Sequence, residues 1–414
     1  MPLERNLDNI ELQAMHHVSA YVVVYEGEVD LTSMHEAYRL LCVRHPVLRA
    51  RVERVGTRYR FRVPESGSPR VAVHRSGGEN HLREVGRRWR PDDAVAQLTL
   101  VKGETRGLVA MFTDHAIADG KAKLAYLHEL LRLYGEIVAG TRPIAEPGRS
   151  LPDTPSQTLR ARVGSEAMPP VVNESDPRDF LGAEALRRYI RLSPNQTKRL
   201  VAVARQNKTT VYAVLCGVIL LAQRRYWQKE PPATMICLAM VNLRERVTPR
   251  VGALDTTNFI GVSPAEVKVE ADTDPIALGR EVREFLENAI AQRRPEQEIL
   301  ARTTGSQSPP VGQDLGTAAI SNLGVVSDFP VVPNVRITDF QIFTQSIKGA
   351  TPSYGVYTYQ GCLSIEAFYR SDLYPHSQAD SLVEDISREI ARLLDDEGDE
   401  TVPRTEQQLV GDVG

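Results

Sequence analysis

The hydrophobic pattern of the first 140 residues alternates between strand and helix. Residues 18–25 (VSAYVVVY) are apolar and rich in β-branched side chains, which predicts a strand. Residues 30–43 place apolar side chains three and four positions apart, which predicts an amphipathic helix that ends before Pro46. Further strands are predicted at 58–63, 97–102 and 107–113, and a helix with a leucine stripe at 123–134.

Proline interrupts this pattern between residues 140 and 185. Pro143, Pro147, Pro152, Pro155, Pro169, Pro170 and Pro177 break every candidate period. We therefore expect a long surface connector and a domain boundary there. The predicted organisation is an N-terminal lobe (1–140), a proline-rich connector (141–185), a C-terminal lobe (186–395) and a flexible acidic tail (396–414).

The second half again mixes strands and helices. Ser193-Pro194 predicts a helix start, because serine caps helix N-termini and proline suits the first helical position. Helices are predicted at 194–205, 211–226, 275–291 and 379–394, and strands at 234–241, 317–321, 337–344, 353–359 and 362–369. The economical architecture is a mixed α/β (α+β) protein of two similar lobes.

Composition narrows the function classes. With 50 basic and 53 acidic residues, the 414-residue chain has a formal net charge of −3, which argues against constitutive nucleic-acid binding. The N-terminus lacks an apolar signal segment, and the longest apolar stretch, 211–222, is too short for a membrane span. Cys42, Cys216, Cys237 and Cys362 are widely spaced, which suggests buried free thiols. We expect a soluble, cytoplasmic monomer.

The residues with the clearest chemical meaning follow the strand at 107–113. His115, Asp119 and Gly120 form an H-x-x-x-D-G pattern, for which this composition gives a chance expectation of about 0.03. A histidine leaving a strand beside small residues is aimed from a rigid element into a gap. The alternative is a core histidine bonded to a loop carbonyl, with Asp119 as a helix N-cap and Gly120 as a turn residue.

Several further motifs occur in an order that resembles the condensation-domain superfamily. That superfamily includes chloramphenicol-acetyltransferase-like enzymes, nonribosomal peptide condensation domains and PapA-type acyltransferases. Besides the histidine motif, the similar segments are 44–49 (RHPVLR), Ser193-Pro194 leading to 209–211 (TTV), 241–244 (VNLR), 258–261 (NFIG) and 321–324 (SNLG). The last three look most like the PapA branch.

Two departures separate this chain from other branches. Peptide condensation domains usually carry a doubled histidine, H-H-x-x-x-D-G, whereas Asp114 holds the first of these two positions here, which weakens a peptide-bond function. Plant acyltransferases of the superfamily carry D-F-G-W-G, whereas residues 339–343 here read DFQIF.

The resemblance implies a V-shaped pair of lobes with an active-site tunnel at their interface and His115 in its middle. Asp119, next to Gly120, would turn away from the substrates and pair with Arg244, which holds the histidine loop in shape. Asn258, Ser321 and Asn322 are candidate oxyanion or substrate-binding donors, although an Asn in a turn is often satisfied by its own backbone. No metal is expected.

The expected function is an O-acyltransferase that moves an acyl group from a thioester to a hydroxyl of a polyketide, lipid or glycoside. The donor would be acyl-CoA or a phosphopantetheine thioester, without a bound cofactor, and an acyl carrier protein or polyketide synthase could be a partner. His115 would act as general base in a ternary complex. The alternatives are an amide-forming condensation enzyme on carrier-bound substrates and a non-catalytic docking module of the same fold. Motifs of serine hydrolases, zinc proteases and nucleotide-binding loops are absent from the sequence.

Overall fold

The computed structural model describes residues 3–67, 69, 71–75, 94–103, 105–144, 146–163, 183–227, 233–270, 272–303, 316–344, 346–347, 351–394 and 403–404. These residues form a mixed α/β fold with a five-stranded sheet, an eight-stranded sheet and a small three-stranded sheet. The predicted fold class is confirmed.

The elements before residue 164 alternate strands and helices. In chain order they are β1 (Glu4–Asn6), α1 (Asn9–Ala14), β2 (Val18–Gly27), α2 (Leu31–Arg44), β3 (Arg51–Val55), β4 (Arg58–Arg62), β5 (Val71–His74), β6 (Ala96–Lys102), β7 (Arg106–Asp114), α3 (Gly120–Val138) and α4 (Pro155–Val163).

The second half contributes more strands than helices. Its elements are β8 (Ala183–Arg191), α5 (Pro194–Gln206), α6 (Val211–Trp227), β9 (Ala233–Asn242), β10 (Ile260–Val269), α7 (Pro275–Ala291), α8 (Arg294–Thr303), β11 (Thr317–Val325), β12 (Val335–Thr344), β13 (Ser346–Ile347), β14 (Ser353–Tyr359), β15 (Cys362–Arg370), α9 (His376–Leu393) and β16 (Pro403–Arg404).

The five-stranded sheet has the order β12-β2-β7-β6-β5, and its neighbours are antiparallel except for β5 and β6. Helices α2 and α3 contact each other and share a hydrophobic core with this sheet. Leu127, Leu130 and Leu131 of the apolar stripe of α3 are buried in that core, and Leu124 packs against it partly buried. The stripe predicted from spacing therefore fixes which face of α3 lies inward.

The eight-stranded sheet has the order β10-β9-β11-β14-β15-β8-β13, and β16 also pairs with β8. Its core includes side chains of α6 and α9, which the sequence predicts as helices at 211–226 and 379–394. The sequence does not predict β10, because Pro264 interrupts its pattern. Proline is tolerated there since β10 is an edge strand.

The predicted domain boundaries do not separate the sheets. Strand β12 falls within the predicted C-terminal lobe, yet it pairs with β2 in the N-terminal sheet from Val335 to Thr344. Part of the predicted connector also forms helix α4, which buries Leu159 beside Ile10 and Phe259. The correction has a simple cause: Pro155 occupies the first position of α4, where proline costs no hydrogen bond.

The predicted acidic tail and the rest of the connector lie mostly outside the described residues. Within the tail, Pro403 and Arg404 form β16, so these two residues are strand rather than flexible tail.

A buried polar cluster joins the two large sheets. Arg187 of β8 donates to Glu366 of β15 at 2.8 and 3.0 Å and to Gln341 of β12 at 3.2 Å. Tyr357 of β14 donates to the same Glu366 carboxylate at 2.9 Å. Because Arg187 and Glu366 are at most 2% exposed, β12 is tied to the second sheet by bonds that water does not reach.

Candidate active site

A cavity of about 370 Å³ lies where the two large sheets approach each other. His115, Ser19 and Lys123 line it from the N-terminal sheet and α3, and Asn258, Ser321 and Asn322 line it from the second half. Apolar side chains that include Ile10, Met240, Ile260 and Phe368 cover much of the remaining wall. With Gly120, which also lines it, the cavity thus brings five predicted site residues to one place from three separate segments.

The His115 backbone is fixed at the end of β7. Its N–H donates to the carbonyl of His17 at 2.9 Å, and the two imidazole rings lie 5.2 Å apart between centroids. Asp114, fully buried, accepts backbone N–H bonds from Ala116 and His16, both at 2.8 Å. Asp114, which stands where peptide condensation domains have the first histidine of the pair, therefore stabilises the turn that carries His115.

Asn258 contacts the His115 ring directly. Its Nδ2 lies 3.0 Å from Nδ1 of the imidazole. The sequence suggests an oxyanion or substrate donor at this position, whereas the structure brings the amide to the histidine ring. Since a half-turn of the amide exchanges its oxygen and nitrogen, Asn258 can accept a proton held on Nδ1 or donate to a bare Nδ1.

Asp119 combines two functions that the sequence analysis treats as alternatives. One carboxylate oxygen caps α3 by accepting the N–H groups of Lys121 and Ala122 at 3.1 Å. The other accepts from the Phe259 N–H at 2.9 Å and pairs with the Arg244 guanidinium. The expected pairing of Asp119 with Arg244 is thus present behind the cavity wall.

Arg244 also organises the loop that carries Asn258. Beyond Asp119, its guanidinium donates to four backbone carbonyls at 3.3 to 3.5 Å, those of Gly252, Ala253, Thr256 and Thr257. On the opposite side, the Thr257 hydroxyl donates to Glu11 of α1 at 2.6 Å. The loop is therefore held from both lobes, which fixes Asn258 against His115.

Gly120 allows the two lobes to approach closely. A Cβ at this position would lie 2.6 Å from Cδ2 of Leu323 and 2.8 Å from the hydroxyl of Tyr21. A side chain at position 120 would therefore require the Leu323 and Tyr21 side chains to shift. Glycine leaves room for these two side chains to meet across the lobes.

Ser321 and Asn322 lie on β11 at the cavity wall. The Asn322 side-chain oxygen accepts from the Gly324 N–H at 2.8 Å, and the pairing register with β14 shifts between these residues. Asn322 therefore stabilises a local turn, which is the alternative that the sequence analysis keeps open.

The RHPVLR segment anchors α3. Arg44 and His45 contact the Glu129 carboxylate at 2.9 and 2.7 Å. Burial raises the pKa of Glu129, but the hydrogen bonds from His45 and Arg44 outweigh it and bring the pKa to about 2. This cluster joins α2 to α3 and so supports the helix that begins beside His115.

Lys123 is the site residue that the sequence analysis misses. The residue is 3% exposed and lines the cavity, and its ammonium donates to the Ser19 hydroxyl oxygen and to the Thr113 carbonyl at 3.4 Å. Burial lowers the pKa of Lys123 to about 8, although the charges of Asp114 and Asp119 oppose the shift. A signal was available, because lysine in the first turn of a helix opposes the helix dipole.

Comparison with known proteins finds one matching family, several curated relatives and several similar solved structures. Residues 182–368 match the family described as phthiocerol/phthiodiolone dimycocerosyl transferase C-terminus. The enzyme of that name from Mycobacterium ulcerans is 28% identical over 293 residues, which cover 65% of this chain and 67% of the relative. Polyketide synthase associated protein 5 from Mycobacterium tuberculosis superposes with a TM-score of 0.77 at 19% identity, covering 96% and 99% of the two chains. The first condensation domain of the calcium-dependent antibiotic synthetase gives 0.68 at 14% identity, covering 100% and 99%.

The two solved structures show that the chain has the fold of polyketide synthase associated protein 5 and of condensation domains. The family match lies in its C-terminal half and includes the motifs NFIG and SNLG. The predicted enzyme class, an acyltransferase, is confirmed by relatives that are named as transferases.

Other features of the chain concern membranes, metals and thiols. Among the described residues, no helix combines the length and apolarity needed to cross a bilayer. The same residues contain no group of three or more His, Cys, Asp or Glu side chains that could hold a metal ion. Cys42, Cys216 and Cys237 are buried free thiols, whereas Cys362 is half-buried, which corrects the expectation of burial for all four.

Proposed function

We propose that the protein is an O-acyltransferase that moves an acyl group from a thioester to a hydroxyl, with His115 as general base. The observation that carries the proposal is the His115 imidazole at the wall of a mostly apolar cavity, with Nδ1 against Asn258. Because Asn258 occupies Nδ1, Nε2 is the nitrogen that serves the substrates.

The proton transfer follows from this arrangement. Nε2 removes the hydroxyl proton as the acceptor oxygen attacks the thioester carbonyl, a step in which a positioned base contributes about 10²–10⁴ in rate. When the carbon–sulfur bond breaks, the proton passes from His115 to the leaving thiolate. This cycle requires the Nδ1–H form of the neutral ring, which the side-chain oxygen of Asn258 stabilises when it faces Nδ1.

The apolar wall of the cavity and the names of the similar proteins support the proposed classes of substrate. An apolar wall suits an acyl chain and an alcohol of lipid or polyketide type. The curated relatives are named for transferring a dimycocerosyl group, and one similar structure is named as polyketide synthase associated, which supports the same classes here. The donor is acyl-CoA or a phosphopantetheine thioester on a carrier protein. Both substrates bind before transfer, because His115 carries a proton and not the acyl group.

An amide-forming condensation reaction is the second candidate, because condensation domains share this fold. Asp114 weighs against it. Its buried carboxylate is engaged with backbone N–H groups where peptide condensation domains usually have a histidine.

The test is thiol release from acyl-CoA in the presence of alcohols or amines. We expect release that depends on an alcohol and falls at least 100-fold in His115→Ala, while His35→Ala, on the exposed face of α2, behaves as the native protein. Release that survives His115→Ala unchanged in a folded protein would overturn the general-base assignment. Release that requires an amine would favour the second candidate.

A further inference from the structure

A buried lysine lies at the same cavity wall as His115 and has no part in the proton transfer above. Lys123 is in the first turn of α3, and its ammonium donates to the Ser19 hydroxyl oxygen and to the Thr113 carbonyl. Within the described ranges, no carboxylate lies within 4 Å of this nitrogen. The cavity wall thus carries a positive charge without a paired anion.

A buried, unpaired ammonium lowers the stability of the fold, so its presence calls for a functional reason. Removing an ammonium from water costs free energy that only a close counter-charge repays, and the positive end of the α3 dipole adds to the cost. The nearest acidic groups on the adjoining elements, Asp114 and Asp119, are engaged with backbone N–H groups and, for Asp119, with Arg244. Proteins bury charges without a close counter-charge mainly at functional sites.

The pairing register places Ser19 and Lys123 beside His115. Ser19 of β2 pairs with Thr113 of β7, and continuing that register by two residues sets His17 opposite His115. The 5.2 Å ring separation of the two histidines agrees with this placement. Ser19 is therefore a diagonal neighbour of His115 on one face of the sheet, at a spacing of roughly 7–8 Å between backbones.

The Ser19 hydroxyl and the Lys123 ammonium can both donate hydrogen bonds into the cavity. An ammonium can only donate, so the Ser19 oxygen is the acceptor and its own hydroxyl hydrogen stays available. In the part of the chain that the structure describes, that hydrogen has no acceptor. Lys123 likewise uses two of its three hydrogens on Ser19 and Thr113. Both residues line the cavity, where a negative oxygen would form.

We propose that Ser19 and Lys123 form the oxyanion site of this enzyme, an inference that rests on the proposed acyl transfer. As the acceptor oxygen bonds to the thioester carbon and its proton moves to His115, the carbonyl π electrons pass to the carbonyl oxygen. Ser19 donates its hydroxyl hydrogen to that oxygen, and Lys123 supplies the positive charge behind it. When the electron pair re-forms the carbonyl, the carbon–sulfur bond breaks and the thiolate takes the proton from His115.

This assignment replaces the two amide side chains among the oxyanion candidates drawn from the sequence. Asn258 contacts the histidine ring, and the Asn322 oxygen is held in a local turn. A charge-polarised hydroxyl in a cavity with an apolar wall is a stronger donor to a developing anion than either amide.

The experiment measures thiol release with an uncharged acyl-CoA chain and an uncharged alcohol. We expect Ser19→Ala and Lys123→Met each to lower kcat by about 10²–10³ with KM changed less than about threefold, and Lys123→Arg to recover part of the loss. Lys198→Met is the control. Lys198 is exposed on α5 and does not line the cavity, so we expect less than about a twofold effect from the loss of its charge.

Other outcomes distinguish failure of the oxyanion assignment from failure of the proposed acyltransferase function. If His115→Ala abolishes release but folded Ser19→Ala and Lys123→Met keep native kcat, the oxyanion assignment is wrong and the proposed function stands. If the two variants raise KM only for substrates bearing a carboxylate, Lys123 binds that group and the assignment is also wrong. If His115→Ala retains release, the proposed function fails first. Thermal unfolding of each variant shows that the fold is intact, and Ser19→Ala makes the smallest change to packing.

Discussion

The Asp119 carboxylate and the Arg244 guanidinium form a buried ion pair between the first turn of α3 and the loop after β9. Neither side chain is more than 4% exposed. The same carboxylate binds the Phe259 N–H, next to Asn258, and caps the helix that follows the His115 turn. One ion pair therefore sets the distance between His115 and Asn258, which come from different lobes.

Removing one partner of this pair is expected to destabilise the whole fold. Asp119→Ala leaves the Arg244 guanidinium buried without its carboxylate and removes the α3 cap, so we expect a loss of about 3–5 kcal/mol in the free energy of unfolding. Arg244→Ala should cost a similar amount. The double variant should lose less than the sum of the two, because it leaves no unpaired charge. Urea unfolding measures all three, and additive losses would show that the two groups do not interact.

Local patterns predict much of the fold and the histidine itself. The apolar run of β2, the stripe of α3 and the cap at Ser193 are short-range signals, and each gives an element close to the observed bounds. The motif at 115–120 follows a strand, as the sequence suggests.

Pairings between distant segments are what the sequence leaves out. β12 joins β2 across about 300 residues because the N-terminal sheet needs a partner at that edge, and nothing in the pattern of 337–344 specifies which sheet it enters. Asn258 is 143 residues from His115, and its contact depends on the loop that Arg244 holds. Lys123 escapes notice because it lies among the leucines of an amphipathic helix, where burial of a charge is unexpected.

Asn258 is expected to set the tautomer and orientation of the His115 ring. Asn258→Ala should lower kcat by about 10–100-fold with little change in KM, because the ring loses its fixed Nδ1 partner but the cavity keeps its shape. Nitrogen-15 NMR of labelled histidine should show the Nδ1–H form in the native protein and a mixture in the variant. Asn288→Ala, on the exposed face of α7, is the control. Unchanged kcat and an unchanged tautomer would remove Asn258 from the positioning of His115.

Glu129 gives the protein an acid-sensitive contact between α2 and α3. Its pKa in the folded state, about 2, is below its ordinary value of 4.5, so the folded state binds fewer protons than the unfolded one between these values. The contribution is complete above pH 4.5 and is lost as the pH falls toward 2. Glu129→Gln should therefore cost about 1–3 kcal/mol at pH 7 and much less at pH 3. A cost that is the same at both pH values would show that the charge of Glu129 does not stabilise the fold through its contacts with Arg44 and His45.

Lys123 is expected to reduce stability in exchange for function. Its pKa of about 8 in the folded state is below the ordinary 10.5, so between these values the unfolded chain binds more protons than the folded one and stability rises with pH. The penalty is complete below pH 8 and disappears as the pH rises above 10.5. A shift of this size corresponds to about 3 kcal/mol.

Lys123→Met, a variant of similar volume, tests whether the Lys123 charge lowers the free energy of unfolding. Lys123→Met removes the buried charge and fills a similar volume, but it gives up the bonds to Ser19 and Thr113, so we expect it to be about 1–3 kcal/mol more stable than the native protein at pH 7. The difference should shrink as the pH approaches 10.5, and urea unfolding at pH 7, 8.5 and 10 measures it. A Lys123→Met protein that is less stable at every pH would mean that Asp114 and Asp119 compensate the charge fully, and the positive site beside His115 would then be a structural element of the α3 turn.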